Sequence, residues 1–271
     1  MGTRTAPRVA GARMTTAVAG ARARVRIEAR ADGRGGTALP VLSGEGPLAA
    51  RRTRGVPGAA HVVLVGAMGG PLGGDAYEVR AEAGPGARLR VGSVAATLAL
   101  PGQSTPRSTY AVDLEAAGDG LLEWLPEPVV AVAGCDLAQH TRVTLAEGAR
   151  LALREEQVLG RSGESPGRIT SRLTVRLAGR PLLDQETCLG TGAPPGWDGP
   201  AGTAGRRALG QLLLVAPEFQ EYEIGAHSLA PGVVLLPLDG PAVLVSALAP
   251  DALRLRRLLD EAAQALGRPG V

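Results

Sequence analysis

The reading of the fold turns on the stretch from Leu121 to Glu164, which opens Leu121-Leu122-Glu123-Trp124-Leu125-Pro126-Glu127-Pro128 and closes Arg154-Glu155-Glu156-Gln157-Val158-Leu159-Gly160-Arg161-Ser162-Gly163-Glu164. Leu121 to Leu125 is a short apolar strand stopped by two prolines, which cannot donate ladder hydrogen bonds. Gln139 to Leu145 and Arg150 to Leu159 then read as a strand pair across the turn Ala146-Glu147-Gly148-Ala149. The stretch holds one of two tryptophans, one of two cysteines and one of three histidines. Glu155 and Glu156 are adjacent, so on a strand they face opposite ways, and parity alone leaves open which one points inward.

Moving outward, Arg24 to Ala29 alternates as a half-buried strand with Val25 and Ile27 inward, and Ala38 to Leu42 is a second extended piece broken by Pro40. His61 to Val65 leads into Gly66, Gly69, Gly70, Gly73 and Gly74. That run fails as a dinucleotide loop: the glycines miss the required spacing, Pro71 interrupts them, and Asp75 to Glu82 alternates as a strand where a helix is needed. A hairpin-like glycine turn fits better, with Tyr77, Val79 and Ala81 on one face of the following strand. Gly86-Ala87-Arg88-Leu89 and Gly148-Ala149-Arg150-Leu151 echo one another, each a turn feeding a strand. With Thr109 to Glu115, Arg168 to Leu177 and Leu182 to Leu189 as further members, the chain reads as all-β, a set of stacked β layers. Thr191 to Gly205, rich in Gly and Pro around Trp197, is a loop. After Pro250, Leu255, Leu258, Leu259 and Ala262 fall at helical spacing behind Asp251 as cap, which predicts one terminal helix over residues 251–266. Residues 1–20 read as a disordered lead, with Met14 an alternative start, and residues 21–271 as a single β domain.

Composition removes several chemistries. The 271 residues contain no lysine, so no phosphate-loop, Schiff-base or general-base lysine exists. Basic residues number 29 against 26 acidic ones, a net charge of +3, which leaves no nucleic-acid footprint. Two cysteines are too few for a disulfide framework and imply a reducing compartment. No secretory h-region follows the N-terminal arginines, and no apolar run approaches the roughly 18 residues of a membrane span, so a cytoplasmic location is expected. The aromatic fraction is 2%, so the core must be built from Val, Leu and Ala, and the aromatic platforms of a polysaccharide-acting β-solenoid enzyme are missing.

Nucleophilic catalysis lacks its parts. No G-x-S-x-G occurs, and Cys135 and His140 fall on opposite faces if one strand carries both. His61 and His227 stand alone, without metal-ligand spacing. Carboxylates are the better candidates: Asp75 after the glycine turn, Glu123, Glu155 or Glu156, and Asp184 with Glu186 on one face. An inward acid in a β core is costly unless it meets a cation or a proton.

The Leu-Glu-Trp-Leu-Pro-Glu-Pro run, Ala133-Gly134, and the Glu-Glu…Leu-Gly-Arg…Gly-Glu run resemble the urease accessory proteins of the UreD (UreH) family. Gly73-Gly74-Asp75, Ala95-Ala96-Thr97 and Gly179-Arg180…Leu182-Leu183 follow in the family's order, so the resemblance spans about Val62 to Leu189. It implies a β-helix-like core with few helices and a non-catalytic scaffold. It further implies binding to urease apoprotein and to UreF, which recruits the GTPase UreG, so that nickel passes through an internal tunnel with acidic residues in its lining. On that basis Asp75, Glu156 and Glu186 are the first candidates for a transient nickel path, with Asp184 and Cys135 behind them. Trp124 and Arg161 are candidate structural or interface residues. No tightly bound cofactor is implied. Val94 and Leu98 stand where many members carry Gln and Lys, and Gln185 where an acid is common. The rival reading is a β-rich interaction module unrelated to nickel.

Overall fold

The computed structural model describes residues 20–103, 107–221 and 224–267. The chain first lays down β1 (Arg22–Ala31), β2 (Thr37–Glu45), β3 (Leu48–Thr53) and β4 (Ala60–Gly66). A repeating coil follows: β5 (Ala76–Ala83) turns into β6 (Arg88–Ser93), with the short β7 (Thr97–Ala99) after it. The next coil is β8 (Ser108–Ala116), β9 (Leu121–Leu125) and β10 (Val129–Ala131), and the last begins β11 (Asp136–Leu145), β12 (Arg150–Leu159). Beyond it come β13 (Arg168–Leu177), β14 (Arg180–Leu189), β15 (Ala208–Val215), β16 (His227–Ala230), β17 (Val233–Pro237) and β18 (Ala242–Ala249), then helix α1 (Ala252–Ala265).

Two sheets result, of seven strands in the order β14-β13-β11-β8-β5-β1-β2 and of eleven, whose main path runs β16-β17-β18-β15-β12-β9-β6-β4-β3. β1, β5, β8, β11 and β13 are parallel neighbours in the first sheet, and β4, β6, β9 and β12 in the second. The chain therefore winds as a β-solenoid, capped at each end by antiparallel strands. The corners stack as well: Ala117 N–H donates to Ala83 O and Ala146 N–H to Ala116 O, each at 2.9 Å. The echoed Gly-Ala-Arg-Leu segments are two of these corners, where Ala87 and Ala149 turn inward, and Gly86 and Gly148 take φ of +68° and +80°, which glycine adopts without strain. Pro40 lies in β2, at the edge of its sheet, where a missing donor is tolerated.

Two expectations change. Gln139 to Leu145 and Arg150 to Leu159 do not pair with each other: β11 and β12 lie in different sheets, and Ala146 to Ala149 is an arch between them. The glycine run 66–74 likewise crosses from the eleven-stranded to the seven-stranded sheet rather than closing a hairpin. In each case the strands bury alternate residues in the space between sheets and take their backbone partners from the neighbouring coil. The all-β reading with one terminal helix holds, and Asp251 caps that helix by accepting from Arg254 N–H at 2.8 Å. The expected lead, residues 1–20, falls outside the described residues except for Gly20.

The main core fills the space between the sheets, with Ile27, Leu89, Leu114, Leu122, Leu137 and Leu153 among its fully buried side chains. A second core lies on the other side of the eleven-stranded sheet, where Leu255, Leu258, Leu259, Ala262 and Ala263 of α1 pack over Leu212, Val243 and Val245. β12 is consequently covered on both faces, and Leu151 to Gln157 are buried without interruption.

Candidate functional site

Along β12, Leu151, Leu153, Glu155, Gln157 and Leu159 share the face toward the seven-stranded sheet, while Ala152, Arg154 and Glu156 share the face toward α1. Glu155 thus enters the space between the sheets with only 4% of its surface exposed. Its Oε1 accepts from Thr141 Oγ1 and from Gln139 Nε2 at 3.2 Å, both on β11, and its Oε2 accepts from Gln211 Nε2 of β15 at 3.0 Å. Gln185 of β14 donates in turn to Gln211 Oε1. Burial pushes the Glu155 carboxyl above the usual range, and these three donors hold it part of the way back.

Two cavities border the Gln139–Glu155 pair, one lined by each residue. One, of about 310 Å³, is lined by Glu155, Gln157, Ser171, Gln185, Thr203 and Gln211 among others. The second, also about 310 Å³, is lined by Tyr77, Tyr110, Trp124, Glu127 and Gln139 and has Met68 and Val94 at its mouth. The Gln139–Glu155 hydrogen bond joins the two linings. Tyr77 and Tyr110 meet edge to face with ring centroids 6.1 Å apart, and burial holds the Tyr110 hydroxyl well above its ordinary pKa. Gln139 Oε1, Gln157 Oε1 and Thr203 Oγ1 are buried with no hydrogen-bond partner among the described residues. Gln157 and Thr203 line the first cavity with Glu155, and Gln139 lines the second, so hard acceptors that suit water or a passing cation occur in both linings.

The sequence from residue 19 to residue 270 matches the family model described as UreD urease accessory protein. The chain belongs to this UreD family. It is similar to the urease accessory protein UreD of Streptomyces coelicolor, with 61% identity over 253 residues that cover 93% of this chain and 100% of that protein. Similarity to UreD of Streptomyces avermitilis is 59% over 249 residues, 92% of this chain and 99% of the relative. UreD 2 of Saccharopolyspora erythraea is 43% identical over 248 residues, 90% and 87% of the two chains. As a UreD family member the chain is a urease accessory protein by kind.

The residues singled out from the sequence fall in different places. Asp75 is buried, but both carboxylate oxygens are taken by backbone N–H groups, Oδ1 by Ala21 at 2.7 Å and Oδ2 by Leu72 at 2.9 Å. It fastens the start of β1 to the turn before β5. Glu156 is buried on the α1 side, where its Oε1 meets Arg256 Nε at 2.6 Å and Arg154 Nε at 3.0 Å. Burial raises its pKa, and the two guanidinium groups oppose the rise. Asp184 and Glu186 are corrected outright as inward residues: both lie on the exposed face of β14, Asp184 held below the ordinary carboxylate range by Arg172. Gln185 between them is the residue that turns inward. The Cys135 thiol donates to Arg168 O at 3.7 Å, and burial pushes its pKa up to about 11, so it is a neutral core thiol.

Trp124 is 2% exposed in the core between the sheets. Arg161 is exposed and closes the turn after β12 against Glu164, whose carboxyl it pulls down to about 2. Arg207 Nη2 braces the same turn by donating to Glu164 O at 2.6 Å. Trp197 is partly buried against the main core and anchors its loop, with Thr203 N–H donating to its carbonyl at 2.8 Å. Sequence reasoning missed Gln139, Thr141, Gln185 and Gln211. Gln139 and Thr141 lie on β11, Gln185 on β14 and Gln211 on β15, and a search by charge passes over neutral side chains.

Proposed function

We propose that this protein is a non-catalytic scaffold for urease maturation that binds urease apoprotein and UreF, with the GTPase UreG joining through UreF, and that nickel passes between its two sheets. The setting is the cytoplasm, in keeping with two free cysteines and with described helices none of which is long and apolar enough to cross a membrane. The observation that carries the reading is Glu155, a buried carboxylate that lines one cavity and is hydrogen-bonded to Gln139 in the lining of a second, with unpartnered buried oxygens in both linings. A transferred ion needs successive weak ligands, because a tight closed cage would not release it. Carboxylate, amide and hydroxyl oxygens supply such ligands, and no grouping of three or more His, Cys, Asp or Glu able to hold a metal occurs among the described residues.

This path replaces the acids first favoured from the sequence. Asp75 has both oxygens on backbone donors, Glu156 holds two arginines through Oε1 on the α1 side of the sheet and keeps only Oε2 without a hydrogen-bond partner, Asp184 and Glu186 face outward, and Cys135 holds its proton. The test is coexpression of Glu155→Gln with the urease subunits and accessory proteins, reading nickel per urease active site beside a UreF pull-down. The amide keeps the shape and removes the charge, so nickel is expected to fall roughly threefold or more with the pull-down intact. Full nickel content would overturn the path through Glu155, and loss of the pull-down would make Glu155 a structural residue.

A further inference from the structure

Arg256 of α1 grips two acids at once. Its Nε donates to Glu156 Oε1 at 2.6 Å, and Nη1 and Nη2 donate to Oε1 and Oε2 of Glu127, each at 3.3 Å. The two acids sit in very different places. The Glu156 side chain is 0% exposed on β12, whereas Glu127 is 39% exposed in Pro126-Glu127-Pro128, the link from β9 to β10. Pro126 and Glu127 line the cavity that holds Tyr110, Trp124 and Gln139, so this link is part of the cavity wall.

The wall has an inner and an outer fastening. On the inner side Glu127 N–H donates to Ser93 Oγ and Thr97 N–H to Pro128 O, both at 2.9 Å, which stitches it to the 93–97 segment across the mouth. On the outer side Arg256 ties it to α1. Two prolines stiffen the link but remove two backbone donors, so side-chain contacts carry more of its positioning. Glu156 neighbours Glu155 in sequence, so the same guanidinium holds the wall of the cavity and the strand whose Glu155 bonds Gln139 in the cavity lining.

We propose that Arg256 is a positioning residue that holds the Pro126–Pro128 wall in place, so that the docking of α1 governs access to the cavity that reaches Gln139, the hydrogen-bond partner of Glu155. Its purpose in passing nickel rests on the reading above, but its geometry is testable without metal. A residue that merely neutralised Glu156 would leave the wall unaffected, and Glu127→Gln separates the two roles because it removes the charge at the mouth and leaves the Glu156 pairings whole.

The experiment uses the full chain carrying Trp197→Phe, so that Trp124, in the cavity lining, is the sole tryptophan. Acrylamide quenching of Trp124 then reads access to the cavity. Glu127→Gln is expected to raise the quenching constant about twofold by freeing local opening, with the thermal melt unchanged. Arg256→Met should raise it at least as far, and Arg256→Lys should fall between parent and Met. Moderate salt should move the parent toward Glu127→Gln, since a half-exposed pair is screened. Quenching that stays at the parent level in Glu127→Gln overturns the proposal, whether or not Arg256→Met folds or changes access, because Arg256 would then act through Glu156 alone. If quenching rises while nickel loading of urease stays full, the positioning role stands and the nickel path falls.

Discussion

Glu155 is the residue at which stability and function pull apart. A carboxylate between two sheets loses its hydration, and its three donors offset only part of that loss, so its pKa lies above the ordinary range. A raised folded-state pKa means that the folded chain binds the proton more tightly than the unfolded chain. The stabilisation that Glu155 contributes is then fully present below the unfolded value and is lost as pH rises through the folded one. The melting temperature of Glu155→Gln, relative to the parent, is expected to climb as pH rises above the ordinary carboxylate range, and a flat difference would show that the carboxylate is not desolvated. Trp124 makes the opposite case, an aromatic residue whose role is packing. Trp124→Ala should cost about 3–5 kcal/mol in a melt, and an unchanged melting temperature would contradict its burial. Trp124 was legible in the sequence because a large side chain between leucines in a short strand has few other uses. Glu155 was not, because strand parity separates it from Glu156 without saying which face is which, and β12 is covered on both sides.

At the scale of the element, α1 was the most legible feature, since its apolar residues recur at helical spacing behind a capping aspartate, and both signals are local. Its energetics should follow the same split. Asp251→Ala removes one cap hydrogen bond and is expected to cost about 1 kcal/mol. Leu258→Ala empties a site in the core under the helix and is expected to cost about 2–5 kcal/mol. Urea unfolding of the two variants checks the order, and a cap variant more damaging than the core variant would show that packing on the sheet contributes little. The strands were legible one by one but not their pairing. An arch and a hairpin present the same local pattern, two alternating segments around a glycine-containing turn. The arch is distinguished by the partners of β11, which are β8 and β13, and of β12, which are β9, β15 and β10. No window of sequence around residues 146–149 contains that information.

The whole molecule explains why the fold class could be read and the site could not. Stacked coils need only repeated short strands of small apolar residues, a property of composition and period. The polar junction needs β11 and β14 from one sheet to face β12 and β15 from the other, which exists only once the coil has closed. The outer face of the seven-stranded sheet also takes its character from stacking, since Arg24–Glu78, Arg80–Glu115, Arg142–Asp113 and Arg172–Asp184 pair between neighbouring strands. Exposed pairs of this kind contribute about 0–1 kcal/mol each, but they cancel charge across the face and leave little long-range field to steer a partner. Large exposed apolar side chains, by contrast, include Met68 and Val94 at the mouth of the Trp124 cavity. If this chain is the scaffold proposed, its association should therefore depend on apolar contact more than on charge. Coexpressed with UreF and the urease subunits, it is expected to coelute with them in size-exclusion chromatography at low salt and still at about 0.5 M salt, where the Debye length has shrunk to a few ångströms. Coelution abolished by salt would move the binding surface to the charged faces. A monodisperse monomer in the presence of both partners would overturn the scaffold reading itself.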